Sequence, residues 1–541
     1  MAERMFGLET EYAITGIEGN KSTSREMVLD RVMRAARRRL HHLPDAQSSG
    51  MFLSNGSRLY VDCGLHPEYS TPECTNPWDA VRYLKAGEIT IDSILGQLNS
   101  EGDTAAEVFC SLCNVDYVGN TTWGCHESFL HRCNPRTLPK HIIPHLVSRT
   151  IYTGGGGFDP FSAGLQFTLS PRAAHIAHAT SSDSTGNRGI YHTKDEPLSA
   201  SGYHRLHILC GESLCSERAV WLKVGTTALI VAMIEAGLQP GGTLELMSPV
   251  EALHAVAMDT RCREMLKLVR GNRASALQIQ RQYLYLAELH LSDPFMPSWA
   301  EEVCAQWRRI LDLLEEDPLR VQKILDWAMK HSLYEHHIEN RGLAWEAIHS
   351  WNHVVGKLQQ ALNRTRRRFS FHPQFILGPN SPVLEDVALL TPYIRKRGLR
   401  WDGLERFLQL KQELLEIDTR FGQIGRSGVF HSLDRSGLLE HHVDGVDNIE
   451  HAVSNPPVSS RARIRGEVVQ RFTEKRDKYR CNWQGIYDLE NKTLLDLSDP
   501  FAKEEKWISD DRHEKQDNDL EMRNLMEDVD RHLRGLLRVR E

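Results

Sequence analysis

Arg58-Leu59-Tyr60-Val61-Asp62, followed at once by His66-Pro67-Glu68-Tyr69, constrains the chain more than any other stretch, because alternation gives it two chemically opposite faces. In a strand, Leu59 and Val61 point one way while Arg58, Tyr60 and Asp62 point the other. A cation, a phenol and a carboxylate on one strand face need their polarity compensated, and a metal-nucleotide complex does that. Glu9-Thr10-Glu11 makes the same offer behind the apolar Met5-Phe6 lead-in. Its two carboxylates start from alpha carbons about 6.6 Å apart on one face, close enough to serve neighbouring divalent ions. Glu68 and Glu73 add carboxylates just after the second strand, and such hard oxygen ligands suit Mg²⁺ better than zinc. The alternative is an exposed polar sheet face. That alternative weakens when four acidic residues and an arginine crowd two short strands.

These segments carry a family resemblance. Gly7-Leu8-Glu9-Thr10-Glu11-Tyr12, Asn55-Gly56-Ser57-Arg58-Leu59-Tyr60-Val61-Asp62 and His66-Pro67-Glu68-Tyr69-Ser70-Thr71-Pro72-Glu73-Cys74 resemble the signature of the Pup ligases and the deamidase of Pup. Gly124-Cys125-His126-Glu127, Thr193-Lys194-Asp195-Glu196-Pro197, Arg205-Leu206-His207, Leu222-Lys223-Val224-Gly225-Thr226 and Arg461-Ala462-Arg463-Ile464-Arg465-Gly466-Glu467 extend the match in order. So many collinear motifs are far more specific than a lone glycine pattern.

The resemblance implies an α+β fold related to glutamine synthetase: a large domain with a curved, mainly antiparallel sheet flanked by helices, and a small carboxy-terminal domain. The expected division is 1–455, with an inserted segment near 350–414, and 456–541 including a charged tail. It also implies ATP and Mg²⁺ as cofactors. By matched position Glu9, Tyr60 and Glu68 would hold magnesium, with Glu11, Glu73 and Glu127 or His126 as further ligands. Arg58, Thr71 and Trp483 would contact ATP, with Arg205 and His207 beside them. Asp62 carries the matched catalytic role. For Arg205, His207 and Glu127 a buried salt-bridge network around the sheet stands as the alternative.

The implied reaction phosphorylates the glutamate side-chain carboxylate at the end of a small, acidic Pup-like modifier and joins it to a substrate lysine, with a link to a proteasomal pathway. A deamidase acting on the corresponding amide or isopeptide bond, and a catalytically weak modifier-binding homologue, are the competing readings. The short Gly16–Gly50 connection and the Gly124-Cys125-His126-Glu127 wording favour the ligase, while Ser70-Thr71-Pro72-Glu73-Cys74-Thr75 is closer to the deamidase phrase. Lys194 replaces the family's arginine, a planar donor, by a point charge. Ser128-Phe129 likewise replaces Asn-Tyr.

Composition fits this picture without having found it. At 541 residues the chain is expected to form at least two domains. A net charge of -7 gives no reason to expect nucleic acid as partner. The absence of a signal-like lead or an apolar span of about 18 residues predicts a cytoplasmic protein with no membrane partner. The odd total of eleven cysteines reads as free thiols, with zinc or redox chemistry at the Cys110/Cys113 pair the minor alternative. Gly154 to Gly157 lacks a following Gly-Lys-Ser/Thr and reads as a turn, not a phosphate loop. Strands are expected at 106–117 and 124–132, and helices at 24–40, 78–98 and 215–237. Arg364-Thr365-Arg366-Arg367-Arg368 reads either as part of an inserted helical hairpin or as a docking surface for an acidic chain. The tail around Leu520 to Leu537 reads as a docking helix or a solvated end.

Overall fold

The computed structural model describes residues 4–19, 21–100, 106–119, 121–200, 202–365 and 371–509. The expected features at Leu520 to Leu537 and at Arg366, Arg367 and Arg368 lie outside the described residues.

Alternation at Phe6, Leu8 and Thr10, buried, against Gly7 and Glu9, partly exposed, makes the first strand of a nine-stranded sheet. Its members are β1 (Phe6–Glu11), β2 (His42–Pro44), β3 (Met51–Leu53), β4 (Arg58–Val61), β5 (Pro67–Ser70), β6 (Cys125–His131), β7 (His178–Ser181), β8 (Gly189–His192) and β9 (His204–Ile208). Their spatial order is β7-β8-β9-β6-β1-β5-β4-β3-β2, antiparallel throughout except where β7 meets β8. β1 is therefore an inner strand, with β5 on one side and β6 on the other.

One sheet face is apolar and is covered by helices. Phe6, Leu8, Phe129, Leu206 and Ile208 share a core with residues of α1 (Pro77–Ser100) and α2 (Glu217–Glu235). Helix α1 turns Ala80, Val81, Leu84, Ile91, Ile94, Leu95 and Leu98 inward at helical spacing. Helix α2 is buried almost all round because it packs on α1, on β6 and on the helix Ala300–Glu316. Ser216 starts it by accepting the Ala219 backbone N–H. With one face committed to helices, the polar side chains of the inner strands are left together on the other.

The strand expected at 106–117 is shorter than its composition suggests. It ends at Ser111 and pairs with Ala13–Glu18 in a separate three-stranded sheet. Beyond it, Asn114 turns away and exchanges two hydrogen bonds with the backbone of Ser213, at 3.1 and 2.8 Å. Gly154 to Gly157 packs against protein: a Cβ on Gly156 would lie 2.5 Å from Trp327 Cα. Among the described residues no helix is long and apolar enough to cross a membrane.

The segment near 350–414 is helical. Helices α3 (Trp345–Arg364), α4 (Leu384–Lys396) and α5 (Gly403–Phe421) bring Trp351, Leu358, Ile394, Phe407 and Leu414 into one core with Phe158 and Tyr334. Arg364 is tied to Asp386 at 2.8 Å.

The carboxy-terminal region consists of α6 (Arg461–Phe472) and a four-stranded antiparallel sheet, β10 (Tyr479–Asn482), β11 (Gly485–Asp488), β12 (Thr493–Asp496) and β13 (Trp507–Ser509). Its apolar residues Ile464, Val468, Val469, Cys481, Ile486, Leu495 and Leu497 do not close a core alone. They pack with Leu43 of β2 and Phe52 of β3. Gly56, at φ +81°, lets α6 sit on the β3–β4 turn, since a Cβ there would meet the Ala462 carbonyl at 2.9 Å.

Candidate active site

Strand register builds the site. Residues directly opposite on antiparallel strands share a face, so pairing of Glu11 with Glu68 and of Glu68 with Tyr60 aligns three oxygen-bearing side chains across β1, β5 and β4. The neighbouring row holds Arg58, Ser70, Glu9 and His126, from β4, β5, β1 and β6. Asp62 follows at the end of β4, where carboxylate oxygens of Glu11 and Asp62 and a His66 ring nitrogen lie within 4.8 Å of one another. Glu9, Glu11, Tyr60, Asp62 and Glu68 thus occupy one continuous surface, the face that helices leave uncovered.

Like charges crowd this surface. Burial, then the Glu9 and Glu11 carboxylates, push the Glu68 carboxyl well above its usual range. Burial and the same kind of crowding, from Glu68 and Glu9, push the Tyr60 phenol up. Glu11 is also raised by burial, with Arg172 and the Gly124 N–H, which donates to its carboxylate at 2.7 Å, acting against the shift. Asp62 goes the other way. Burial raises it, but the His66 backbone N–H at 2.6 Å and the His66 ring at 3.2 Å outweigh that and hold it as a carboxylate. Three crowded carboxylates and a phenol offer hard oxygens that fit a divalent ion such as Mg²⁺, and the groups that act most on buried Glu68 include no arginine or lysine.

A cavity of about 390 Å³ opens beside this surface, at its Glu9 end. Arg58, Tyr60, Thr71, Arg205, His207 and Trp483 line it, so it spans the sheet and the carboxy-terminal region. Its volume suits a bound small molecule of nucleotide size. Arg58 is preset by Asp45, to which its Nε donates at 2.8 Å, and it lies 4.0 Å over the Tyr60 ring. Arg205 reaches Glu9 at 2.6 Å. The Thr71 hydroxyl accepts the Leu8 N–H at 3.1 Å. His207 Nε2, 3.8 Å from Glu9, is buried without a hydrogen-bond partner among the described residues.

Two expected metal ligands are placed otherwise. Glu127 pairs with Leu8, not with a polar residue, and so faces the helices. There it is fully buried and held by both terminal nitrogens of Arg149, at 2.8 and 2.5 Å. Glu73 lies past the end of β5 and is clasped by Arg461 and Arg465. Burial would raise its carboxyl, but the two guanidiniums bring it down to about 2. Glu127 thus lies on the helix-covered face and Glu73 beyond the strand between two guanidiniums, and neither joins Glu9, Glu11, Tyr60 and Glu68 on the shared face. His126 stays on the site face, but its Nε2 accepts from Arg172 at 3.1 Å. Its other nitrogen, Nδ1, then carries the proton and faces Glu9 at 3.9 Å, as a donor.

Arg172 and Asp45 were not legible as site residues. Arg172 sits on a short 3-10 turn (Pro171–His175), where no period marks a face. Arg461 and Arg465 did carry a signal, since residues four apart share one side of a helix.

Comparison with known proteins identifies the family of the chain. A sequence model of the family described as Pup-ligase protein matches residues 4–354 and 385–487, leaving 355–384 between. The chain is 31% identical over 511 residues to a Pup–protein ligase 1 of Rhodococcus erythropolis, covering 93% of this chain and 97% of that one. A Pup–protein ligase of Rhodococcus opacus (strain B4) matches to the same extent. Among solved structures, the complex of the prokaryotic ubiquitin-like protein Pup with its ligase PafA superposes with a TM-score of 0.70 at 25% identity, over 93% of this chain and 90% of that one. The Pup ligase PafA in complex with ADP gives 0.65 at 25%, over 89% and 92%. With the family model spanning most of its length, the chain belongs to the Pup-ligase family.

Proposed function

We infer that this chain is an ATP-dependent ligase that activates the glutamate side-chain carboxylate of Pup, or of a Pup-like modifier, and joins it to a lysine of a target protein. The carrying observation is the continuous face on which a nucleotide-sized cavity at Glu9 and Arg58 leads to an ionised Asp62. Kinship with Pup–protein ligases supports the reaction class, and likeness to an ADP-bound relative supports the nucleotide.

Arg58, Thr71, Trp483, Arg205 and His207 are positioned to contact ATP, and Glu9, Glu11, Tyr60 and Glu68 to hold Mg²⁺. The metal, when bound, supplies the positive charge that lets an anionic carboxylate approach a triphosphate. Arg58 and Arg205 add fixed cations on the same side, and Asp45 and Glu9 keep them oriented. The lysine that attacks the activated acyl group is protonated at neutral pH and must lose a proton to become a nucleophile. Asp62 takes that proton as general base while the new C–N bond forms and phosphate leaves. His66 holds Asp62 in place for this from two directions. A cytoplasmic location belongs to the same proposal and is supported by eleven cysteines that are all free thiols.

Incubation with Mg-ATP, a modifier ending in glutamate and a lysine-bearing acceptor, read by intact mass, tests the function. A conjugate with release of ADP and phosphate is expected. A modifier ending in glutamine that loses its amide, with no conjugate from the glutamate form, would replace the ligase by a deamidase.

The metal assignment makes a separate prediction with a definite sign. Burial and neighbouring carboxylates make Glu68 hold its proton to higher pH than an ordinary carboxyl, and it binds a cation only after ionising, so Mg²⁺ affinity rises with pH until Glu68 has lost its proton. Glu68→Gln should weaken Mg²⁺ binding by about tenfold or more and flatten that pH dependence. Titration of Mg²⁺ at several pH values, followed by calorimetry, checks both. Equal affinity and an equal pH slope in the variant would remove Glu68 from the ligand set.

A further inference from the structure

On the opposite side of the molecule from the sheet's polar face, the amino-terminal turn of α2 meets the segment 439–443. Glu217, the first residue of α2, lies against His441 and His442, with Asp434 behind the two rings. A Glu217 carboxylate oxygen and one ring nitrogen from each histidine fall within 4.8 Å of one another. The backbone fixes the arrangement. Arg218 N–H donates to the His441 carbonyl at 2.9 Å, the Arg218 guanidinium to the His442 carbonyl at 2.6 Å, and Val443 N–H to Glu217 at 3.1 Å.

The hydrogen bonds assign the ring nitrogens. Nε2 of His441 and Nε2 of His442 each lie 3.0 Å from the same Asp434 oxygen, Oδ1. A carboxylate oxygen only accepts, so both Nε2 atoms carry protons. In a neutral imidazole Nδ1 then presents a lone pair. The Nδ1 of His442 points it at Glu217 Oε1, 3.1 Å away. A contact between that nitrogen and a carboxylate oxygen requires a cation between them, either a second proton on the ring or a metal ion. Among the described residues Nδ1 of His441 meets only the Glu217 backbone N–H, at 3.3 Å, a long contact that an ion could displace.

We propose that Glu217, His441 and His442 form a binding site for a divalent transition metal of the zinc class, through one carboxylate oxygen and the two Nδ1 atoms. Two imidazoles and a carboxylate suit Zn²⁺, and three protein ligands leave a further position for water or an exogenous ligand. Asp434 plays the outer partner, holding both rings in the tautomer and orientation that frees Nδ1 for the metal. An adjoining cavity of about 340 Å³, lined by Glu217, Asp434, His441 and His442 and also by Lys85 and His431, gives the ion an entry path. The site is separate from the catalytic face and stabilises the clasp between 439–443 and α2. Because it uses none of the residues assigned to ATP, Mg²⁺ or acyl transfer, its success or failure is independent of the ligase reading.

The test uses the full-length protein, freed of metal by chelator and titrated with ZnSO₄ in the presence of excess Mg-ADP, with His442→Ala beside the wild type. His442 is 61% exposed at its side chain, so its removal is expected to leave the metal-free Tm unchanged. The wild type should bind one more equivalent of zinc than His442→Ala and show a Tm rise on zinc addition that the variant lacks. Asp434→Asn should keep the stoichiometry and weaken affinity by about 10–100-fold. Identical zinc stoichiometry in wild type and His442→Ala, or no zinc binding by either, overturns the proposal and leaves a proton as the bridging cation.

Discussion

Asp62→Asn is expected to slow acyl transfer to lysine by about 10²–10⁴-fold, the usual contribution of a positioned general base, while nucleotide affinity stays at the wild-type value. The two halves of this expectation come from separate features. Asp62 does not line the 390 Å³ cavity, so its replacement leaves the contacts offered to ATP in place. Asparagine is nearly isosteric and keeps an oxygen to accept the His66 N–H, so the β4–β5 connection retains its shape. What it lacks is the negative charge that His66 preserves on the aspartate. Single-turnover conjugation measured beside ADP binding separates the two effects. Conjugation within a few-fold of wild type would show that another group accepts the lysine proton.

Glu73→Gln is expected to produce the largest loss of stability of any single substitution near the site, about 3–5 kcal/mol, because it leaves two buried arginines facing an amide. Arg461 and Arg465 come from one side of α6, and Glu73 neutralises both. Arg465 also lies 4.7 Å over the ring of Trp483, which lines the 390 Å³ cavity proposed for ATP. Loosening the clasp therefore should raise the apparent KM for ATP as well as lower the denaturation midpoint. The same carboxylate makes a pH prediction. Its folded-state value of about 2 lies below the ordinary 4.5, so its contribution is complete above pH 4.5 and is lost as pH falls from there through about 2. That shift corresponds to about 3 kcal/mol. In Glu73→Gln the acid limb of the stability profile should be shallower over this window. An unchanged limb would mean that other carboxylates govern acid unfolding.

Much of this site was legible because β1, β4 and β5 are inner strands of regular pleat. Alternation then assigns a face to every residue from one anchor, and Glu9, Glu11, Arg58, Tyr60 and Asp62 fall together. Legibility ended where regularity did. Glu73 lies three residues beyond Ser70, the last residue of β5, where the period no longer says which way a side chain points. Glu127 is next to His126 on a strand, and only the register of β6 against β1 decides which of the two meets Glu9. A one-residue slip would exchange them. Arg172 arrives from a non-periodic turn and Asp45 from the end of a three-residue strand, so their partnerships depend on tertiary placement alone. The fold class followed from the collinear motifs. The sharing of a core between the two ends of the chain did not, since no local pattern in β2 or β3 names its partner.

That shared core bears on how the protein is made. Leu43 and Phe52 emerge from the ribosome early but meet Val469, Ile486 and Leu495 only after more than four hundred further residues have followed, so at about 5–20 residues per second they wait roughly 20–80 s without their natural covering. During that interval an apolar sheet edge stands open to other nascent chains, which makes translation speed and temperature, rather than final stability, the quantities that govern its yield.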